Sequence, residues 1–273
     1  MKKTMALMIL AAALAAPVTA PAADGSTYAD VLSAYVYNGL VYNDEAVFQP
    51  GLDVAGPLGL GFSLWANMDL TDNPASTAPN TAGKWSELDL GLNWTAPWEG
   101  PLGLSVGTIY YVYPQASSAV ELNDDGTVAS VSKKPPADGS YQIFSQIKAA
   151  NVLLTPAVKF CHELDNQDDW IILFTVGHGF GLTDAISLDL GAVLGVAGEY
   201  YVESNYGSDA GSALTHAQAD AVLRYALNEK ASVGLKGSFS SILDGDVRDD
   251  MDENGVYPDT DIFFGGVTAS YSF

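Results

Sequence analysis

Between Asp244 and Asp261 the chain reads D-G-D-V-R-D-D-M-D-E-N-G-V-Y-P-D-T-D, eight acids against Arg248 alone. Within it, Asp250, Asp252, Asn254 and Gly255 fit the pattern D-x-[DN]-x-[DN]-G, and Asp261 supplies an acid at the twelfth position. Alternating short acids ahead of a glycine turn can wrap a loop around calcium, a hard cation that takes six to eight oxygen ligands. Val256, at the seventh position, would lend its backbone carbonyl. Two departures count against that chemistry. Asp261 stands where a longer glutamate usually gives bidentate ligation, and the flanking segments read as strands instead of helices. The same run also reads as a solvated acidic loop. Calcium is the only cofactor the sequence suggests, and none is required.

Nucleophilic chemistry would need a Ser–His pair oriented by a third polar group. The three histidines are His162, His178 and His216. His178 lies in V-G-H-G-F-G beside an expected turn, and His216 reads as a loop residue next to Thr215. No G-x-S-x-G is present. The sequence therefore points away from an enzyme, and no catalytic residue is nominated. Cys161 alternates with Lys159 and Glu163, which makes it an inward-facing small residue filling space.

Other charges recur at every second position of otherwise apolar stretches. In E-L-D-L-G-L-N-W, Leu88, Leu90, Leu92 and Trp94 share one face, opposite Glu87, Asp89, Gly91 and Asn93. In S-L-D-L-G-A-V-L, Leu188, Leu190, Ala192 and Leu194 oppose Ser187, Asp189 and Gly191. Extended by the same period, the polar face collects Asp53, Asp69, Glu87, Asp89, Asp189 and Asp220 with Lys148, Lys159, Arg224 and Lys236. If the apolar face meets lipid, these ten line an interior. There they either pair off and fill it or border a solute path and set its selectivity.

The elements that would hold such a wall are strands. Following the alternation gives twelve, over 30–41, 48–55, 59–70, 85–96, 102–113, 140–149, 156–164, 169–180, 185–197, 217–227, 231–242 and 260–273. Several reach the roughly 9–11 residues a tilted strand needs to cross a bilayer. G-P-L-G-L opens two of them, at Gly56 and again at Gly100, where Gly-Pro sets a tight turn. Short turns alternate with long polar loops at about 71–84, 114–139, 198–216 and 243–259. The longest of these either folds over or into the mouth and narrows it, or is a mobile surface loop. Trp85, Trp94, Trp170, Phe180, Tyr225, Phe239, Phe263 and Phe273 fall near strand ends, where interfacial girdles belong.

Composition fits the same picture. Lys2 and Lys3, an apolar run from Met5 to Ala16 and small residues at Ala20 and Ala22 make residues 1–22 a secretory signal peptide, leaving 23–273 as one domain. The mature chain carries 9 basic against 33 acidic residues, a net charge of −24, which repels nucleic acid. A single cysteine excludes an intrachain disulfide, so stability must come from the sheet or its surroundings. The expected fold is an all-β, transmembrane, antiparallel up-and-down barrel of about 12 strands. A secreted soluble β-sandwich is the alternative, since its strands alternate too.

The last strand ends G-G-V-T-A-S-Y-S-F, with Val267, Ala269, Tyr271 and Phe273 on one face. That pattern resembles the terminal strand of Gram-negative outer-membrane β-barrel proteins, and the resemblance covers the whole mature chain. It implies outer-membrane lipid as surroundings and recognition of the last strand by the barrel-assembly machinery. The segment A-Y-V-Y-N-G-L-V-Y-N-D-E, from Ala34 to Glu45, resembles an uncharacterised family of exported barrels that carries a basic residue where this chain has Asn38. The function expected is a porin-like passive diffusion channel for small hydrophilic solutes. A non-conducting structural or partner-binding outer-membrane protein is the runner-up.

Overall fold

The computed structural model describes residues 24–73, 76, 80–98, 100–115, 118–122, 128–133, 139–164, 168–255 and 257–273. The expected signal peptide lies outside the described residues.

In chain order the first strands are β1 (Asp24–Leu32), β2 (Tyr35–Tyr37), β3 (Leu40–Asn43), β4 (Val47–Ala55), β5 (Leu60–Asp69), β6 (Lys84–Thr95), β7 (Gly103–Val112), β8 (Ser118–Leu122) and β9 (Val128–Lys133). They are followed by β10 (Ser140–Lys148), β11 (Ala157–Glu163), β12 (Trp170–Gly181), β13 (Ile186–Ala197), β14 (Ala213–Ala226), β15 (Ala231–Ile242) and β16 (Asp261–Ser272). Helix α1 (Glu199–Tyr206) joins β13 to β14, and helix α2 (Gly245–Asn254) joins β15 to β16. Among the described residues twelve strands close a barrel in the order β1-β16-β15-β14-β13-β12-β11-β10-β7-β6-β5-β4, every neighbour antiparallel to the next. β2–β3 and β8–β9 are separate two-stranded ribbons.

The wall alternates as the sequence requires. Leu90, Leu92, Ile143, Ile147, Phe174, Leu190, Leu223 and Leu235 point outward and are exposed, Leu235 at 61 %. Leaving such side chains in water forfeits about 1.5–3 kcal/mol each, so the outer face needs an apolar solvent. No helix among the described residues is long and apolar enough to cross a membrane. The crossing is made by strands, in a closed barrel of the outer-membrane type. A sandwich, which would bury its apolar face and leave open edges, is ruled out by the closed strand order.

The seam joins β1 to β16 with Ala29 opposite Ala269 and Val31 opposite Val267. At its foot Gly25 and Phe273 exchange backbone hydrogen bonds of 3.3 and 2.9 Å. A side chain at Gly25 would collide with the Phe273 ring, so glycine there lets the terminal aromatic lie flat on the wall. Val267, Ala269, Tyr271 and Phe273 all face outward and are exposed. The short turns close this end of the barrel. In one, Thr183 Oγ1 accepts from the backbone N–H of Ala185 and Ile186; in another, the Asn228 side chain accepts from Lys230 and Ala231.

Three expectations change. The first strand is not 30–41: β1 stops at Leu32, and the chain turns into the β2–β3 hairpin. Asn38 (φ 50°) and Gly39 (φ 83°) form its two-residue turn, the positive-φ pair that Asn-Gly supplies to tight hairpins. The loop expected at 198–216 is mostly α1 and the start of β14, which places His216 in a strand. The acidic loop is mostly α2: Asp244 caps its first turn by accepting from Asp246 and Val247, and Gly255 ends it at φ 61°. In the longest loop the described residues form the β8–β9 hairpin, while 116–117, 123–127 and 134–138 lie outside the described residues.

Candidate functional site

Inner-face residues become progressively more open from the long-loop rim to the short-turn end. Along β4, Val47, Gln49 and Gly51 are buried, whereas Asp53 and Ala55 are exposed. β15 repeats the gradient: Ile242, Ser240 and Ser238 are buried, while Lys236, Gly234 and Ser232 are half-buried. Something fills the upper lumen, and it is the β2–β3 hairpin together with the two helices.

The filling has an apolar part. Leu40 of the hairpin, Tyr201, Val202 and Tyr206 of α1, and Val247 and Met251 of α2 pack with Cys161, Ile171, Ala197 and Ile242 of the wall. Spacing explains which helix faces turn in. Val247 and Met251 lie four apart on one side of α2, while Asp246, Asp249, Asp252 and Glu253 are exposed. Cys161 faces inward as expected, between Lys159 and Glu163 on its strand, and joins this cluster. Here it is a buried small residue.

The polar part ties hairpin to wall. The Tyr35 hydroxyl donates to Glu87 Oε2 at 2.6 Å, and the Tyr37 and Tyr111 hydroxyls meet at 3.2 Å. Asn43 donates to Asp69 Oδ1 at 2.9 Å. At the tip, Asn38 Nδ2 donates to the Tyr201 hydroxyl at 3.1 Å, and the Tyr206 hydroxyl donates to the Asn38 carbonyl at 2.7 Å. Burial raises the phenols of Tyr201 and Tyr206 above the ordinary tyrosine value, which keeps both neutral, Tyr201 as acceptor and Tyr206 as donor. Helix α1 is seated by Asp169, whose Oδ2 accepts from the Tyr201 backbone N–H at 2.9 Å. A side chain at Gly198 would occupy the place of that carboxylate.

All ten charged residues read from the alternation stand on the inner face, at two levels. Glu87 and Asp69 are buried at the hairpin, with Asp89 just below Glu87. Lower down, Arg224 Nε meets Asp189 Oδ2 at 2.9 Å, and Lys236 Nζ meets Asp30 Oδ2 at 3.1 Å. Asp220 accepts from Ser238 and Gln218 at 2.6 and 2.9 Å. Lys159 sits 4.5 Å over the Phe144 ring, a cation–π contact. Asp53 and Lys148 are exposed near the short-turn end.

Helix α2 disperses the residues nominated for calcium. Asp250 accepts from Ser208 Oγ at 2.5 Å, clasping the α1–β14 segment. Asn254 donates toward the carbonyls of Tyr206 and Gly207. Asp261 takes both guanidinium nitrogens of Arg248, at 2.6 and 2.9 Å, and these bonds raise the guanidinium above its already high value. Asp250 and Asp252, two residues apart on a helix, point to different sides. Val256 lies outside the described residues. Among the described residues no group of three or more His, Cys, Asp or Glu is placed to hold a metal.

The histidines also part company. His162 and His178 lie on the outer face, beside Asp168 and Phe180, whereas His216 is buried beneath the hairpin tip with Nδ1 3.1 Å from Thr215 Oγ1. The alternation passed over Tyr111 and Tyr113, which share the inward parity of Ser105 and Gly107.

A search with the sequence finds no matching family model and no matching curated relative. Among solved structures the chain is similar to the NanC porin, at 10 % identity and TM-score 0.49 over 92 % of this chain and 99 % of that one. It is also similar to the KdgM porin in complex with disordered oligogalacturonate (7 %, 0.48, 92 % and 99 %). The COG4313 outer membrane channel from Pseudomonas putida F1 matches at 13 % and 0.48, over 95 % and 97 %. At these identities the likeness concerns the barrel alone.

Proposed function

We propose that the chain is a passive diffusion channel of the outer membrane for small hydrophilic solutes, narrowed at the long-loop rim by its own hairpin. The observation that carries this reading is the lower lumen, where Asp53, Lys148, Lys159, Asp189, Arg224 and Lys236 stand on the inner face within reach of water. Twelve strands lie between barrels filled by side chains and barrels wide enough for an aqueous channel. Over the whole inner face the ten alternating charges divide into six acids and four bases, with Asp69 and Glu87 at the narrowed rim, and two of the bases are already paired with Asp189 and Asp30. The expected selectivity is therefore for cations. Single-channel recording in planar bilayers tests it: steady steps with a cation-selective reversal potential support the channel, and an anion-selective potential removes the charge argument.

A second reading is favoured by the filled rim, where Leu40, Val41, Val202, Val247 and Met251 are 0–1 % exposed. Under it the barrel is silent and serves as a structural or partner-binding protein. A folded barrel that gives no current until the hairpin is removed would select this reading. In either case we assign Val267, Ala269, Tyr271 and Phe273 the role of assembly signal. Their outward, exposed row on the closing strand supports it, and loss of membrane insertion on deleting Phe273 tests it.

A further inference from the structure

The inward bases are not spread around the wall. Lys148, Lys159, Arg224 and Lys236 belong to β10, β11, β14 and β15, so all four fall within six successive strands of the closed order. The other six strands, β7, β6, β5, β4, β1 and β16, contain no lysine or arginine except Lys84 at the rim. Asp30, Asp53 and Asp89 stand on their inner face. Acids occur on the basic half too, but each is engaged: Glu163 by Ser140 and Gln142, Asp189 by Arg224, and Asp220 by Gln218 and Ser238. The contrast is cleanest at the short-turn end. Asp53, exposed, lies two residues from the end of β4; Lys148, exposed, is the last residue of β10; and Lys159, half-buried, lies two residues from the start of β11. Around the closed order β4 stands four strands from β10 and five from β11, close to the six that mark the opposite wall. Among the described residues none of these three makes an ion pair, and Lys159 rests over the Phe144 ring.

A carboxylate on one flank and two ammonium groups on the other set a field across the lumen, and low-dielectric walls make it stronger than in bulk water. A simple cation or anion is favoured at one flank and repelled by the other. A zwitterion turns its ammonium to Asp53 and its carboxylate to the lysines at once, while an uncharged solute gains at neither. We propose that the foot of the lumen favours small zwitterionic solutes, of which an α-amino acid is the simplest, over uncharged solutes of the same size. The inference rests on the channel reading. It is separate from the preference for cations over anions, because zwitterion and uncharged solute alike carry no net charge.

Isosmotic swelling of liposomes carrying the folded barrel tests the assignment at pH 7 with glycine and its uncharged isomer glycolamide, the leak of protein-free liposomes being subtracted. Glycine is expected to enter about threefold faster or more. Asp53→Asn should bring the ratio toward one, and so should Lys148→Gln combined with Lys159→Gln. Glycolamide entry should persist in these variants, which shows that each still forms an open barrel. Equal rates for the two isomers through the wild-type barrel would overturn the proposal and leave the channel standing. An undiminished glycine preference in the triple variant Asp53→Asn, Lys148→Gln, Lys159→Gln would overturn it as well. Entry of neither isomer would remove the channel reading, and this inference with it.

Discussion

At the long-loop rim Leu40, Val202, Val247 and Met251 are almost wholly buried inside the barrel, whereas Asp53 and Lys148, on the same inner face near the short-turn end, lie open to water. Both levels belong to one continuous wall with one alternation. What differs is what enters them. A hairpin nine residues long, Tyr35–Asn43, together with two helices, brings its own apolar surface and turns the upper lumen into a protein core. The lower lumen receives no such insert, so its charges must pair with each other or stay hydrated. In this barrel, strand alternation says which side chains face inward, and loop insertion decides whether inward means dry or wet.

The sharpest break of that contrast is to remove the insert. Replacing Tyr35–Asn43 with a two-residue turn should make the rim as wet as the base, raising single-channel conductance several-fold. An unchanged conductance would mean that the hairpin does not limit passage. Next, Met251→Ala should destabilise the rim by about 2–5 kcal/mol, the usual cost of truncating a fully buried side chain. Hydrogen exchange should then speed up in α1 and α2 and stay unchanged at the lower ends of β14 and β15. Uniform acceleration through the barrel would show that the two levels are not independent. Gly39→Val comes third. Its φ of 83° disfavours a branched side chain, at about 1–3 kcal/mol, and the added Cβ would press on the His216 side chain. Protease sensitivity confined to the hairpin is the expected readout.

At the base the effects should be small in stability and visible in transport. Arg224→Gln removes a half-exposed ion pair with Asp189, worth about 1 kcal/mol or less. It should shift the reversal potential further toward cations while leaving thermal unfolding in place; no shift would argue that Arg224 lies off the solute path. At the rim, Asp250→Ala should loosen the clasp to Ser208 by about 1 kcal/mol without altering calcium uptake. A saturable calcium site lost in this variant would restore the ion-binding reading of the acidic segment.

Much of the wall was legible because a membrane strand shows its period directly. Leu88, Leu90, Leu92 and Trp94 against Glu87, Asp89 and Asn93 fix both faces of β6 without any structure, and the count of twelve follows from repeating that reading. The insert was harder. Tyr35 to Asn43 alternates like a barrel strand, and only the Asn38-Gly39 pair inside it marks a hairpin. In the acidic segment two patterns compete for the same residues. D-x-D-x-N-G suggests an ion loop, while the Asp244 cap, Val247 and Met251 four apart, and Gly255 past the end spell a helix. The helix wins because Val247 and Met251 have a core to enter, and no local motif announces that core. The hydrogen bonds that tie the hairpin in were out of reach for a related reason. Their partners come from the hairpin, from β6 and β7, and from α1, segments that only the closed barrel brings together.

The tip of the hairpin touches Tyr201 and Tyr206, more than 160 positions further along the chain. Such a contact carries a consequence for the order of assembly. Bringing residue 38 to residue 206 costs loop-closure entropy that nothing in between repays until the strands separating them are paired. Tyr35 and Leu40 must therefore wait, unshielded, while β4 to β13 assemble, and they find their partners only as the last strands arrive. The upper core is then the last part of the molecule to form. In refolding experiments, tyrosine fluorescence from the rim should reach its final value in a slower phase than the gain of sheet by circular dichroism.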